Sequence, residues 1–328
     1  MTSGRPTPGW RTAGRRTAGW PTAGGLALGV GLDALLGDPR RGHPVAAFGG
    51  AAGALERTVH RDSRVVGAAY AASLVLGTAA AGAALDGAVR RRPAARLVLT
   101  TLATWSVVGG TSLRREAGAM SALLEAGDLA GAREQVRALC GRDPAALDVA
   151  GLVRATVESV AENTSDAVVA PLLWGAVAGT PGLLAYRAVN TLDAMVGHRS
   201  PRHLRFGWAA ARADDVANLV PARVTALLAV ALAPVVGGRS RAAAGAWRRD
   251  GHKHPSPNAG PVEAAFAGAL GRTLGGRLSY GGRTEDRPLL GNGPAPDVAD
   301  VARAARLSLA VSCAAGGLAV GLRVLRAR

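Results

Sequence analysis

Twenty consecutive residues, Ala167 to Tyr186, carry no charge, and a helix of that length crosses a bilayer core of about 30 Å. Val65 to Leu85 is a second charge-free run, of 21 residues, and its alanine and glycine content suits close helix contacts in lipid. Shorter runs cover Leu97 to Leu113 and Leu307 to Leu322, and a marginal one covers Val224 to Gly238. Ala23 to Leu36 and Gly42 to Leu55 are also apolar, separated by Gly37-Asp38-Pro39-Arg40-Arg41, where proline and glycine force a turn. An alanine-rich soluble helical protein could mimic one such run, but hardly four. The pattern predicts an all-α, polytopic integral membrane protein with four to six membrane-embedded helices, re-entrant segments included.

The net charge of +16 invites a nucleic-acid partner, but Lys253 is the sole lysine among 39 basic residues. An arginine excess beside so much alanine and glycine reads as biased codon usage, and no basic patch interleaved with aromatics is present. The arginines gather at the ends of apolar runs: 90, 91, 92 and 96; 239, 241, 248 and 249; and 323, 326 and 328. By the positive-inside bias these segments should face the cytoplasm, although Arg114 and Arg115 spoil a simple alternation. Cys140 and Cys313 have no metal-ligand spacing and fall in dissimilar segments, so neither a disulfide nor a metal site is expected.

Residues 1–24 repeat Thr-Ala-Gly among arginines, prolines and tryptophans, which predicts a disordered basic tail. Residues 25–113 should hold the N-terminal membrane helices, 114–166 a soluble helical insertion, 167–282 further membrane helices with a proline-rich loop, and 283–328 a linker and a last membrane helix. Within the insertion, Met120, Leu123, Leu124, Val136 and Leu139 recur at helical spacing, with Asp128 as the N-cap of a helix ending at Gly141. Arg142-Asp143-Pro144 should open the next helix.

That helix carries Glu158, Glu162 and Asp166, three carboxylates four residues apart and so on one face, directly before the charge-free run. Neighbouring pairs, offset by roughly 6 Å at 1.5 Å per residue, could share one Mg2+, but all three could not. A solvated stripe paired with Arg154 would look the same. A second polar patch, Tyr186-Arg187 with Asn190 and Asp193, precedes His198, and a third is Asp214-Asp215-x-x-Asn218 before Arg223. The third reads as a site for a divalent cation or phosphate, or as acids placed to suit a helix N-terminus. Asp33 sits inside an apolar stretch, where a carboxylate is expensive and faces a cavity or partner. Asp38 could be a turn-former and His43 an interfacial side chain. Prolines 255, 257 and 261 make a rigid loop containing Lys253, His254, Ser256 and Asn258, leading into a helix near Pro261 whose first N–H groups could bind an anion. His252 and His254 are placed too irregularly for zinc, and no P-loop motif occurs.

Together these stretches resemble the CobD/CbiB family, the adenosylcobinamide-phosphate synthases of cobalamin biosynthesis. The resemblance runs from about Leu32 to Gly282. It is carried by Gly-Asp-Pro and His-Pro-Val at 37–45, Gly-Arg-Asp at 141–143, Glu-Ser-Val-Ala-Glu-Asn at 158–163 with Asp166 and Pro171, Tyr-Arg-Ala-Val-Asn-Thr-Leu-Asp at 186–193, and His-Pro-Ser-Pro-Asn-Ala-Gly-Pro at 254–261.

The resemblance implies an ATP-dependent ligase that joins a carboxylate of adenosylcobyric acid to the amine of aminopropanol or its O-phosphate, at the cell membrane with its site on the cytoplasmic side. Expected roles follow from residue type. Glu158, Glu162 and Asp166 would bind Mg2+, supported by Asn163 and seconded by Asp193 and Asp214 or Asp215. Arg142, Arg187, Arg223 and Lys253, with the backbone around Ser256 and Asn258, would hold phosphates; Asp38, His43 and Asn190 join the substrate-binding set. Glu158, Glu162, Asp166, His198 and His254 are the catalytic candidates, the histidines as bases. Expected partners are the corrinoid, the amino alcohol and membrane lipid, with room for association with other corrinoid-pathway enzymes. A Mg2+-dependent membrane prenyltransferase could share the acidic motifs but would not need the 254–261 loop. A transporter would explain Asp33 and Asp193 but not so many phosphate-suited groups.

Overall fold

The computed structural model describes residues 19–38, 42–139, 144–198, 200–280 and 283–326. Arg142 and Cys140 lie outside them. The described residues are mostly helical. Among them, four stretches are long and apolar enough to cross a membrane: Arg64–Val89, Val149–Gly197, Leu219–Val236 and Val298–Arg326.

Helix α1 (Trp20–Leu36) starts inside the stretch expected to be a tail, because Pro21 in its first turn is preorganised for helix and Ala23 and Leu26 are buried. His43 caps α2 (Pro44–Val59), its Nδ1 accepting from the Val45 N–H at 3.2 Å. Next come α3 (Arg64–Val89) and α4 (Pro93–Val107), which returns against α1. The partner of buried Asp33 is the start of α5 (Gly110–Glu125), where Oδ2 accepts from the Thr111 N–H at 3.1 Å and hydroxyl at 3.2 Å, while Oδ1 has no partner among the described residues.

Asp128 caps α6 (Leu129–Gln135) as expected, accepting from the Gly131 N–H at 2.8 Å. Met120 and Val136 are buried with Leu123, Leu124 and Leu139 packed around them. The helix bearing the acidic stripe, α7 (Val149–Thr164), opens later than the sequence suggested. Pro144 begins only a single 3-10 turn, and Asp148 supplies the cap, accepting from the Gly151 N–H at 2.7 Å.

After a π-helical turn (Ser165–Val169), α8 covers Ala170–Leu192 and a second π turn covers Asp193–Gly197. The long charge-free run is therefore not one straight span. Gly179 has φ 67° and ψ −149°, open to glycine alone, and Pro181 lacks an N–H, so the helix breaks there. The second arm folds against the first: a Cβ on Gly182 would lie 2.3 Å from the Trp174 carbonyl, and one on Gly175 2.8 Å from Leu183. The carbonyls freed at the break accept from the last helix, Ala176 from Arg323 at 3.5 Å and Val177 from Arg326 at 3.0 Å.

Helices α9 (Trp208–Ala217), α10 (Leu219–Leu232), α11 (Ser240–Asp250) and α12 (Ala259–Leu270) follow. Every residue of α12 is buried, as expected of a helix apolar on all sides but for Glu263, whose carboxylate lies 3.9 Å from His254 Nε2. Residues 273–291, read from the sequence as a glycine-rich stretch and a linker, form an antiparallel hairpin, β1 (Thr273–Tyr280) and β2 (Arg283–Gly291). Glu158 accepts from the Gly275 N–H at 2.7 Å and Asp250 from the Gly291 N–H at 3.0 Å, so buried carboxylates fix the hairpin. The last helix, α13 (Val298–Arg326), packs on α1, α5, α7, α8 and α10.

Candidate active site

The fold in α8 brings its two ends together. Asp166, before the first arm, lies within electrostatic range of Asp214, Glu162, Asp193 and Arg187. The Tyr186 hydroxyl, on the second arm, donates to the Asp166 carbonyl at 3.1 Å and contacts Asn218 Oδ1 at 2.9 Å. Asn218 is fully buried and donates through Nδ2 to Asp214 at 3.0 Å, while Asn190 reaches Asp214 at 3.4 Å. Burial pushes the Asp214 carboxyl above the ordinary aspartate range, against the pull of the Asn218 and Asn190 amides, and the negative charge of Asp215 adds to the rise.

Arg187 is the cation among these acids. It acts on Asp38 and Asp166, donates only a long bond of 3.4 Å to Asn190 Oδ1, and its buried Nε has no hydrogen-bond partner among the described residues. Asp38 is held there because Trp105 donates its indole N–H to the Gly37 carbonyl at 2.8 Å, fixing the turn at Gly37. Three stretches far apart in sequence, 37–38, 162–193 and 214–218, thus meet at one place.

Glu158 does not join them. It is buried and bound to the hairpin, where it anchors structure instead of serving as a ligand. Asn163 bonds back to the Ser159 carbonyl at 2.9 Å and hydroxyl at 3.1 Å. Among the described residues no three His, Cys, Asp or Glu side chains are placed to hold a metal by themselves. Mg2+, however, takes one or two carboxylates and completes its shell with phosphate oxygens and water. Glu162, Asp166, Asp193 and Asp214, with one arginine among them, fit that mode of binding.

A second group adjoins the first. Arg223 donates to Asn258 Oδ1 at 3.1 Å, and Asn258 Nδ2 donates to the Asp215 carbonyl at 2.8 Å, tying the proline-rich loop to the acidic end of α9. Three backbone N–H groups of that loop are already taken. The Ser256 N–H bonds to His254 Nδ1 at 3.0 Å, and the Asn258 and Ala259 N–H groups share Ser256 Oγ at 3.3 and 3.2 Å. Lys253 is taken up by Asp250 at 2.8 Å. His254 is buried, with Nε2 3.0 Å from Arg287 Nη1 and 3.9 Å from the Glu263 carboxylate, so its ring links the loop to the hairpin and to α12. His198 lies apart near the surface, with Nε2 3.3 Å from His203 Nδ1; partial desolvation and the neighbouring His203 lower its pKa. His43 is occupied as a helix cap.

A family model described as CobD/Cbib protein matches residues 26–308. The chain belongs to the CobD/CbiB family. Relatives named Cobalamin biosynthesis protein CobD include one from Mycobacterium tuberculosis (strain ATCC 25618 / H37Rv), 56% identical over 299 residues, covering 91% of this chain and 95% of that protein. One from Geobacter metallireducens (strain ATCC 53774 / DSM 7210 / GS-15) is 45% identical over 269 residues, covering 80% and 84%. One from Rhodobacter capsulatus is 42% identical over 287 residues, covering 85% and 90%. No solved structure matches this CobD/CbiB chain.

Arg287 is not among the site residues expected from sequence, and Asn218 entered only as a member of the Asp214-Asp215-x-x-Asn218 patch, with no role of its own. Asn218 stands four residues after Asp214, a spacing that could have placed its amide on the same carboxylate. Nothing near Arg287 in the sequence signals its partner 33 residues earlier.

Proposed function

We propose that the chain acts in cobalamin biosynthesis, as the names of its relatives suggest, and that it catalyses ATP-dependent amide ligation of adenosylcobyric acid with (R)-1-amino-2-propanol or its O-phosphate. The observation that carries the reading is the meeting of Glu162, Asp166, Asp193 and Asp214 with a half-buried Arg187 whose Nε has no partner among the described residues, a pairing suited to a phosphate and its counter-ion.

In the ligation, a carboxylate oxygen of the corrinoid attacks the γ-phosphorus and ADP leaves; the amine then attacks the acyl carbon and inorganic phosphate leaves with one former carboxylate oxygen. Mg2+, when bound, would screen the phosphate charge, held by some of the four acids. Arg187 and Arg223 would meet the remaining phosphate oxygens, and Asp38 would keep Arg187 aimed at the acids. The amine must lose a proton as it attacks. Asp214, with its pKa raised, is better matched to that task near neutral pH than an ordinary carboxylate, and His198 is the alternative base. The site then belongs on the cytoplasmic side of the cell membrane, where ATP is available.

The test is product formation by detergent-purified protein given adenosylcobyric acid, aminopropanol O-phosphate, Mg2+ and ATP, each omitted in turn. Amide formed only when all are present supports the ligase; amide formed without ATP, or none from folded protein, rejects it.

A further inference from the structure

Beside the acidic cluster, α10, α11 and the proline-rich loop line an open cleft of about 470 Å3. Its walls include Arg223, Trp247, Arg248, His252, Pro255 and Pro257, and no carboxylate lines it. Arg248 makes no hydrogen bond or ion pair with another described residue, and Lys253, one position after His252, is held away by Asp250.

We propose that this cavity holds the nucleotide of the ligation, with phosphates against Arg223 and Arg248 and the base against Trp247; the inference rests on the ATP-dependent reading above. The two guanidinium groups, with His252 beside them, make a pocket for a polyanion that nothing within it neutralises. The indole and the pyrrolidine rings of Pro255 and Pro257 give flat apolar walls, which a phosphate alone does not need but a purine does. Size separates the two phosphorylated substrates. The volume falls within the range of about 300–1,000 Å3 usual for small-molecule sites, whereas aminopropanol phosphate, with three carbons, would leave most of it unfilled. Position agrees as well: Arg223 joins the cavity to the acids through Asn258 and the Asp215 carbonyl, so phosphates held there face the cluster assigned to Mg2+.

The test is equilibrium binding to the full-length protein in detergent, with ATP, pyrophosphate and aminopropanol O-phosphate as probes. Arg248→Gln should weaken ATP and pyrophosphate alike by about tenfold or more, the loss of one charge-assisted contact. Trp247→Leu should weaken ATP by a similar factor and leave pyrophosphate unchanged, while Trp247→Phe, which keeps a ring and the packing, should retain most ATP affinity. Unaltered ATP affinity in Arg248→Gln or Trp247→Leu, or displacement of ATP by aminopropanol O-phosphate, overturns the assignment. Amide formation is followed in the same preparation. If the parent makes amide yet binds no ATP in this cavity, the assignment alone fails; if it does neither, the ligase reading fails with it.

Discussion

Asp166 touches every other member of the acidic cluster electrostatically, so it is the residue whose charge the proposed chemistry can least do without. Asp166→Asn keeps the shape and removes the charge. It should lower kcat by about 100-fold or more, as expected when a charge that stabilises a transition state is lost, with the thermal midpoint in detergent near the parent's. Activity within a few-fold of the parent would remove Asp166 from the site. Asp250 offers a contrast, since its charge serves stability. Burial alone would raise its pKa, but Lys253, Arg249 and the Gly291 N–H outweigh that and hold it below the ordinary range. A depressed pKa means that stability is present above the unfolded value of about 3.9 and is lost as pH falls through the lower folded one. Asp250→Asn should therefore be less stable than the parent at pH 6, with the gap closing toward pH 3 in urea unfolding. A gap that stays constant across that range would contradict the linkage.

At the scale of elements, the break in α8 decides where the acids go. Gly179→Ala forces a side chain onto a positive φ and should cost about 1–3 kcal/mol of stability, together with activity, because Asp166 directly precedes the first arm and Asp193 directly follows the second. Gly31→Ala is the control, since a Cβ there meets nothing within 4 Å and helix propensity improves. If both variants melt and turn over alike, the bend does not position the site. The sequence showed the helices, the Asp128 cap and each acidic patch, all of which follow from local pattern. It did not show that Gly179-Thr-Pro181 would fold a 20-residue apolar run back on itself, since such runs usually continue straight. Nor could helical spacing reveal that Glu158, one turn before Glu162, faces a hairpin. The hairpin itself went unread because its glycines at 275 and 276, both with positive φ, break the alternation that marks a strand.

For the whole molecule, the break also sets the axis. Gly82, near the end of α3, packs on Pro181, and Arg323 and Arg326 cap the same bend, so the arginines at 90–96 and 323–326 share one end. The start of α3 packs on Phe206 beside α9, and a helix of 26 residues separates the two ends by about 39 Å. Arg248, near Arg223, lies with the acids at the other end. The length of α3 thus separates the arginines at 90–96 and 323–326 from Arg248. What the fold does place together is an anionic cluster and a cationic cavity, bridged by Asn258. The most direct measurement of what they do is an oxygen-transfer experiment, with adenosylcobyric acid labelled with 18O in its reacting carboxylate and turned over with ATP, Mg2+ and aminopropanol O-phosphate. The account predicts one 18O in inorganic phosphate for each amide formed. Amide formed with no label in phosphate would contradict it.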